Sequence, residues 1–152
     1  MNAYIYLYNN LAYNKSLWVW SINAEDVPRE KWNKPSYYYP GNEHVNYIGI
    51  DGYNWGDVHS WSKWTKFKHI FLKQIKYINK HYPNKNIIIS EVASTESAGD
   101  KSKWISNFFK ELSKTHNDIK AFIWFDIKKE TDWRINSSES SLKSFNKGLK
   151  KW

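Results

Sequence analysis

The sequence predicts an α/β fold in which about four parallel strands alternate with flanking helices. Runs of β-branched and aromatic residues recur along the chain, and apolar stripes of helical period separate the later runs. This alternation is typical of right-handed βαβ units. A closed (β/α)8 TIM barrel needs about 250 residues, whereas this chain has 152. The pattern therefore indicates half a barrel or a small open sheet. We expect a single domain, residues 1–152.

Four strand-like runs define the predicted sheet, near residues 17–22, 46–53, 87–91 and 120–126. The third run, IIISE, is the most informative because β-branched residues end in one carboxylate, Glu91. Such a run is typical of a strand buried on both faces. We therefore expect Glu91 at the carboxyl end of its strand, where α/β barrels place their chemistry.

Four helices are predicted between and around these strands. Residues 3–13 carry apolar side chains at helical spacing, and residues 61–81 form the clearest stripe. Asp100 is a plausible N-cap for a helix that carries Trp104, Phe108 and Leu112 on one face. A last helix carries Leu142, Phe145 and Leu149.

Composition narrows the functional class. Ten Trp and eleven Tyr exceed what a core of this size needs, which favours a binding surface for sugars, bases or a partner protein. The net charge of +8 comes from lysines spread over helices and loops, a pattern typical of solvated helix faces, so no nucleic acid is expected. No apolar run reaches the length of a membrane span, so no membrane association is expected.

Several common chemistries have no motif in the chain. There is no cysteine, no glycine-rich phosphate loop and no serine-nucleophile motif. The spacing of His59, His69, His81 and His116 does not suggest a metal site. We expect neither a metal nor another cofactor.

Six segments, in order, resemble glycoside hydrolase family 26, the β-mannanase type. Residues 38–55 (YYPGNEHVNYIGIDGYNW) resemble the region of its sixth strand, and residues 88–91 (IISE) its seventh. The other segments are WVWS at 18–21, GDKSKWI at 99–105, AFIWFD at 121–126 and DWRI at 132–135, which resemble its fifth strand, the helix after strand seven, its eighth strand and the following loop.

The resemblance implies the C-terminal half of the catalytic barrel of a retaining glycosidase that cuts β-linked polysaccharide, either mannan or β-glucan. It implies that Glu91 is the nucleophile, that Tyr53 orients it, and that Trp124 forms a wall of a sugar subsite. It also implies a secreted protein, although Met1–Tyr4 lack the basic and apolar regions of a signal peptide.

One family feature is missing. The acid/base glutamate of the family lies after strand four in a His-Glu motif, and here His44 follows Glu43 in the opposite order and in a loop. A retaining mechanism needs two carboxyl groups about 5–5.5 Å apart. We therefore expect the isolated chain to be inactive, with a second copy or a complementary N-terminal half covering its edge strands.

Each candidate residue also has a structural interpretation. Glu91 could cap the next helix or pair with a lysine, Asp51 could bond turn amides, and Tyr53 and Trp124 could be ordinary core residues. Trp55 and Trp133 follow strands in loops, where exposure and stacking on sugar are the better prediction. Beside a glycosidase half, the open alternatives are a non-catalytic carbohydrate-binding half-barrel and, less favoured, a basic nucleic-acid or protein interaction module.

Overall fold

A computed structural model describes residues 2–11, 15–114 and 119–152. Its sheet contains β1 (Val19–Asn23), β2 (Tyr47–Asn54), β3 (Asn86–Ser94) and β4 (Ile119–Trp124), in the order β1-β2-β3-β4. All three strand pairs are parallel. Each strand lies beside the next one in sequence, as in a barrel that winds in one direction. The predicted α/β half-barrel of four parallel strands with flanking helices is confirmed.

Within these described ranges, four helices accompany the sheet: α1 (Asn2–Leu11), α2 (Phe67–His81), α3 (Lys101–Lys114) and α4 (Glu139–Leu149). Two 3-10 turns, Pro35–Tyr38 and Asn42–His44, lie in the connection from β1 to β2. The predicted helix at 3–13 is present as α1 up to Leu11, and residues 12–14 lie outside the described residues.

The prediction that helix begins at residue 61 is wrong, because α2 begins only at Phe67. The buried Asn54 side chain explains the delay: its Oδ1 accepts from the Thr65 amide at 2.7 Å and the Gly56 amide at 3.4 Å. These bonds fold the intervening residues into a loop over the end of β2. The apolar stripe misled the prediction because Trp64 packs from this loop, with its ring over Gly99.

The predicted N-cap at Asp100 is confirmed. Its Oδ1 accepts from the Lys103 amide at 2.9 Å, which satisfies one of the free amides of the first turn of α3. Ser138 performs the same role for α4, where its hydroxyl accepts from the Ser141 amide at 3.2 Å.

The core lies between one face of the sheet and helices α2, α3 and α4. Ile48, Ile87 and Ile89 are fully buried there. Aromatic rings join the helices to each other: Phe67 lies 5.1 Å from Phe108, and Phe109 lies 5.4 Å from Phe145. We call this side of the sheet the helix face and the opposite side the inner face.

The inner face is open within the described residues. Ser21, Asp51 and Ser90 lie on it, and Ile123 of β4 is 59% exposed. The edges of β1 and β4 have no strand partner among the described residues. No helix among the described residues is long and apolar enough to cross a membrane.

Candidate active site

An irregularity in β3 brings Glu91 to the inner face. Gly49 pairs with Ile88 and Asp51 pairs with Glu91, so two steps along β2 correspond to three along β3. The pairs Ile89–Phe122 and Val92–Trp124 show the same extra residue against β4. This β-bulge lets two consecutive side chains, Ser90 and Glu91, reach inner-face partners. Bulges near active sites often re-aim side chains in this way.

The predicted contact between Tyr53 and Glu91 is present: the Tyr53 hydroxyl donates a hydrogen bond to Glu91 Oε2. The two residues come from the carboxyl ends of adjacent strands, β2 and β3. Burial raises the pKa of Tyr53, and its bond to the Glu91 carboxylate raises that pKa further. The phenol therefore stays protonated at neutral pH and remains a donor to the carboxylate.

Asp51 lies directly beside Glu91 and belongs to a small polar cluster. Its Oδ1 accepts from the Ser90 hydroxyl at 2.5 Å and from the Ser21 hydroxyl at 3.1 Å. Burial raises the pKa of the Asp51 carboxyl, the two serine hydroxyls oppose that rise, and the charge of Glu91 adds to it. The cluster occupies the floor beneath Glu91. Gly49 permits it, since a Cβ there would come within 2.7 Å of both hydroxyls.

Aromatic rings surround the Tyr53 side chain. The ring of Trp133 lies 5.2 Å from that of Tyr53 and 4.7 Å from that of Trp55, and Phe125 lies 5.7 Å from Tyr53. Trp55 is partly exposed, as predicted. The expected exposure of Trp133 is wrong: only 1% of the residue is exposed, because its ring is enclosed by these neighbours.

Trp124 lies behind this aromatic group. It pairs with Val92, and its ring packs 5.5 Å from Phe145 and 6.2 Å from Trp104, on the helix face. Its indole N–H donates to the Trp133 carbonyl at 2.9 Å. This placement agrees with the alternative of core packing, whereas direct contact of Trp124 with sugar stays a prediction.

A buried lysine fixes the loop that carries Trp133. Lys101, the first residue of α3, is fully buried, and its ammonium donates to the carbonyls of Asp132 at 3.1 Å and Arg134 at 2.8 Å. A third bond reaches the Ser137 hydroxyl at 2.8 Å. Burial lowers the pKa of Lys101 to about 8, although the charge of Glu96 opposes the shift. Three acceptors compensate for the burial of the charge.

Glu96 organises the end of the same loop. Its Oε1 accepts hydrogen bonds from the hydroxyls of Ser137, Ser138 and Ser141 at 2.8 to 2.9 Å. The carboxylate also lies at the start of α4, where negative charge is favourable. Glu96, which follows β3, is thus bound to serines, while Glu91, within β3, accepts from Tyr53.

Within the described parts of the chain, no group of three or more His, Cys, Asp or Glu side chains is placed to hold a metal ion. His59 stacks on Trp61, and His81 lies 4.4 Å from Tyr77, so both rings serve in aromatic contacts. His116, another histidine of the sequence, lies outside the described residues.

Sequence reasoning missed two residues at this site. Lys101 was part of a recognised segment, yet lysine is seldom fully buried, so its role had no sequence signal beyond its place after an N-cap. Trp61 was assigned to a helix, although it lies in the loop after β2 with 71% of the residue exposed. An exposed tryptophan beside a cleft could have been suspected only once the true start of α2 was known.

Two comparisons bear on this geometry. No profile of a known protein family matches the chain. The chain is similar to endoglucanase H of Acetivibrio thermocellus, with 39% identity over 135 residues, which is 87% of this chain and 14% of that protein. The chain thus spans about one seventh of the length of the curated relative that it matches. It is homologous to a segment of endoglucanase H, a glycoside hydrolase.

Proposed function

We propose that this chain is the nucleophile-bearing half of a retaining endo-β-glycosidase that acts on a β-linked polysaccharide, mannan or β-glucan. The observation that carries the proposal is the hydrogen bond from Tyr53 to Glu91 at the carboxyl ends of β2 and β3. Homology to a segment of an endoglucanase supports the same class of reaction. Residues 1–152 then act as one domain, the C-terminal half of a family 26 barrel.

In the proposed reaction, a Glu91 carboxylate oxygen attacks the anomeric carbon and forms a glycosyl ester as the bond to the leaving oxygen breaks. Tyr53 donates a hydrogen bond to the Glu91 carboxylate and holds it in one orientation. Water then hydrolyses the ester with the help of a second carboxyl group.

That second carboxyl group is proposed to come from a complementary N-terminal half or, less simply, from a second copy of the chain. Asp51 already accepts hydrogen bonds from two serine hydroxyls beneath Glu91, so it is not proposed as the second carboxyl group. General acid catalysis contributes about 10²–10⁴-fold. We therefore expect the isolated chain to cleave natural mannan or β-glucan weakly or not at all.

Trp55 and Trp133 are proposed to shape the sugar-binding wall next to Tyr53. The edge-to-face contact between the two rings, 4.7 Å between centroids, gives this wall a fixed shape. Trp124 supports it from behind through its bond to the Trp133 carbonyl. Trp133→Ala and Trp124→Ala would then both weaken sugar binding indirectly, the first by removing the buried ring that supports Trp55 and the second through the loop.

The nucleophile can be tested without the missing acid. Activated 2-deoxy-2-fluoroglycosides with a dinitrophenolate leaving group need no protonation, so Glu91 should displace dinitrophenolate and retain the sugar as a stable ester. We expect peptide mass spectrometry to find the fluoroglycosyl group on Glu91. Glu91→Gln should abolish the label, while Glu96→Gln, a matched change of a serine-bound carboxylate, should keep it.

Labelling of Asp51 or Asp126 instead of Glu91 would contradict the assignment. A second experiment measures turnover of soluble mannan and mixed-linkage β-glucan by the chain alone and after mixing with an N-terminal half. Turnover that appears only in the mixture supports a divided site. Brisk turnover by the isolated chain that survives Glu91→Gln would refute the proposal.

A further inference from the structure

A cleft of about 420 Å³ extends from Tyr53 along the carboxyl ends of β1 and β2. Asp51 and Tyr53 form its inner boundary, beside Glu91. The loop after β1 supplies Val27 and Arg29 on one side, and the loop after β2 supplies Trp61 on the other. The cleft therefore begins at two residues that adjoin Glu91, its strand neighbour Asp51 and its hydrogen-bond donor Tyr53, and extends away from them.

Trp61 presents an open aromatic face in this cleft. The residue is 71% exposed, and its ring is supported by the parallel ring of His59, with centroids 4.9 Å apart and planes 16° apart. The Trp55 ring contacts it edge-on at 5.8 Å. Exposing a tryptophan to water is unfavourable, and here the ring is held by neighbours on one side only, which leaves the remaining surface available to a ligand.

The loop that holds Trp61 is fixed by hydrogen bonds. The Ser62 amide and hydroxyl donate to the His59 carbonyl at 3.0 and 3.1 Å, and the Ser62 hydroxyl accepts from the His59 amide at 3.1 Å. The Asn54 side chain anchors both ends of the loop at Gly56 and Thr65. A loop fixed before binding loses little conformational entropy when a ligand arrives.

The charges around the cleft favour a neutral ligand over an anionic one. Arg29 forms a 2.5 Å ion pair with Glu25, and both residues line the cleft. Asp51 and Lys63 also line the cleft, so its lining has two acidic and two basic side chains, which offer hydrogen-bond donors and acceptors at nearly balanced charge. A pyranose ring combines an apolar face, which stacks on an aromatic ring, with hydroxyls that need such partners.

We propose that Trp61 is the stacking platform of a distal sugar subsite, which holds a pyranose unit of a neutral β-linked polysaccharide away from the cleaved bond. The inference rests on the proposed function for the identity of the ligand. The argument for the platform itself depends on exposure, ring support and the cleft. A subsite of this kind would give the chain polysaccharide affinity that does not depend on catalysis.

This inference is tested by the affinity of the 152-residue chain for soluble mannan, mixed-linkage β-glucan and their oligosaccharides. Affinity gel electrophoresis and isothermal titration calorimetry measure that affinity. Loss of one stacking partner should weaken binding by roughly three- to tenfold, so Trp61→Ala should show that loss and Trp61→Phe a smaller one. Trp152→Ala is the matched control, because Trp152 is 41% exposed and contacts Phe122, outside the cleft.

Equal affinity of Trp61→Ala and the unmodified chain would overturn the inference, provided that both unfold at the same urea concentration. Should Trp61→Ala unfold earlier, the folded variants Trp61→Phe and Trp61→Gln decide. Unchanged affinity of both variants overturns the inference. Polygalacturonate, an anionic polymer, is tested in the same series. Binding of polygalacturonate alone, or of none of mannan, mixed-linkage β-glucan and polygalacturonate, also overturns the inference.

The outcome is separable from that of the proposed function. Fluoroglycosyl labelling of Glu91 in the unmodified chain tests the nucleophile, while the binding series tests Trp61. Labelling with no effect of Trp61 substitutions overturns only the distal subsite. A Trp61-dependent affinity without labelling of Glu91 supports the subsite and refutes the nucleophile, leaving a carbohydrate-binding half-barrel.

Discussion

The loop after β2 and the loop after β4 both carry tryptophan, yet the two tryptophans have opposite environments. Trp61 of the first loop is 71% exposed, whereas Trp133 of the second is 1% exposed. The first loop is fixed by hydrogen bonds of Ser62 within the loop and of Asn54 at the end of β2. The second is fixed by a buried ammonium, that of Lys101. A loop that a neighbouring element holds against the core buries its tryptophan, and a loop without such a hold leaves its tryptophan exposed.

The largest effect expected from this comparison concerns the two rings themselves. Trp133→Ala should lower the free energy of unfolding by about 3–5 kcal/mol, because it leaves a cavity against Tyr53 and Trp55. Trp61→Ala should change it by within about 0.5 kcal/mol, as for other exposed sites. Urea unfolding measures both, and equal losses in the two variants would break the comparison.

The second prediction concerns the backbone of the loop after β2. Gly56 has φ of +56°, and a Cβ there would lie 2.1 Å from the Ser97 carbonyl oxygen. Gly56→Ala should therefore cost on the order of 2 kcal/mol through strain and displacement of the loop. Ala98, which has φ of +64° with a side chain, is the control, since Ala98→Gly should be neutral or stabilising. The urea midpoint should fall for Gly56→Ala and stay unchanged or rise for Ala98→Gly.

The third prediction concerns the buried cation. Lys101→Met should cost about 1–3 kcal/mol, because it leaves two loop carbonyls and the Ser137 hydroxyl without their donor. Lys103→Met, on the exposed side of the same helix, should cost far less. If the two methionine variants unfold at the same urea concentration, the loop after β4 does not depend on Lys101.

Lys101 should also make stability depend on pH in a defined window. Burial lowers its pKa from the ordinary 10.5 to about 8 in the folded chain, while the charges of Glu96, Asp132 and Asp126 oppose the shift and that of Arg134 adds to it. Between these values the unfolded chain binds more protons, so this contribution to the free energy of unfolding rises with pH from about 8 to 10.5. The difference between the unmodified chain and Lys101→Met should grow across that window. A flat difference would contradict the assigned pKa.

The smallest effect sharpens the role of α3 as the support of Lys101. Asp100→Ala removes the N-cap and should cost about 1 kcal/mol, whereas Asp100→Asn keeps a good cap and should cost little. Thermal unfolding followed by far-ultraviolet circular dichroism measures both. A large loss in the Asn variant would show that the charge, and not the cap, is what matters.

Much of the scaffold could be predicted from the sequence because its signals are local. The run IIISE marked β3, the apolar stripe marked α2 and Asp100 marked the start of α3. The start of α2 could not be predicted, since Asn54 sets it through bonds that span eleven residues of sequence. Propensity and period do not contain such a contact.

The candidate site was predicted in part, through Glu91 and Tyr53, on the basis of a resemblance and not of the strand pattern. Strict alternation from the buried Ile87 and Ile89 would have placed Glu91 on the helix face. Only the bulge brings Glu91 to the same face as Tyr53, and no sequence rule predicts a bulge at Ser90. The burial of Trp133 was equally invisible, because it depends on Lys101, a residue type that is usually exposed.

The extra residue in β3 has a consequence for how this strand tolerates changes of length. Ile87 and Ile89 before it and Val92 after it all face the helices, so the insertion is absorbed between them and neither flank changes face. Removing Ser90 would restore plain alternation with Glu91 still on the inner face. Deleting one residue from a regular strand moves the side chains beyond it to the opposite face. Deleting Ser90 from the bulge does not have this effect. The length of β3 at the bulge can therefore change while its buried residues keep facing the helices and Glu91 stays on the inner face.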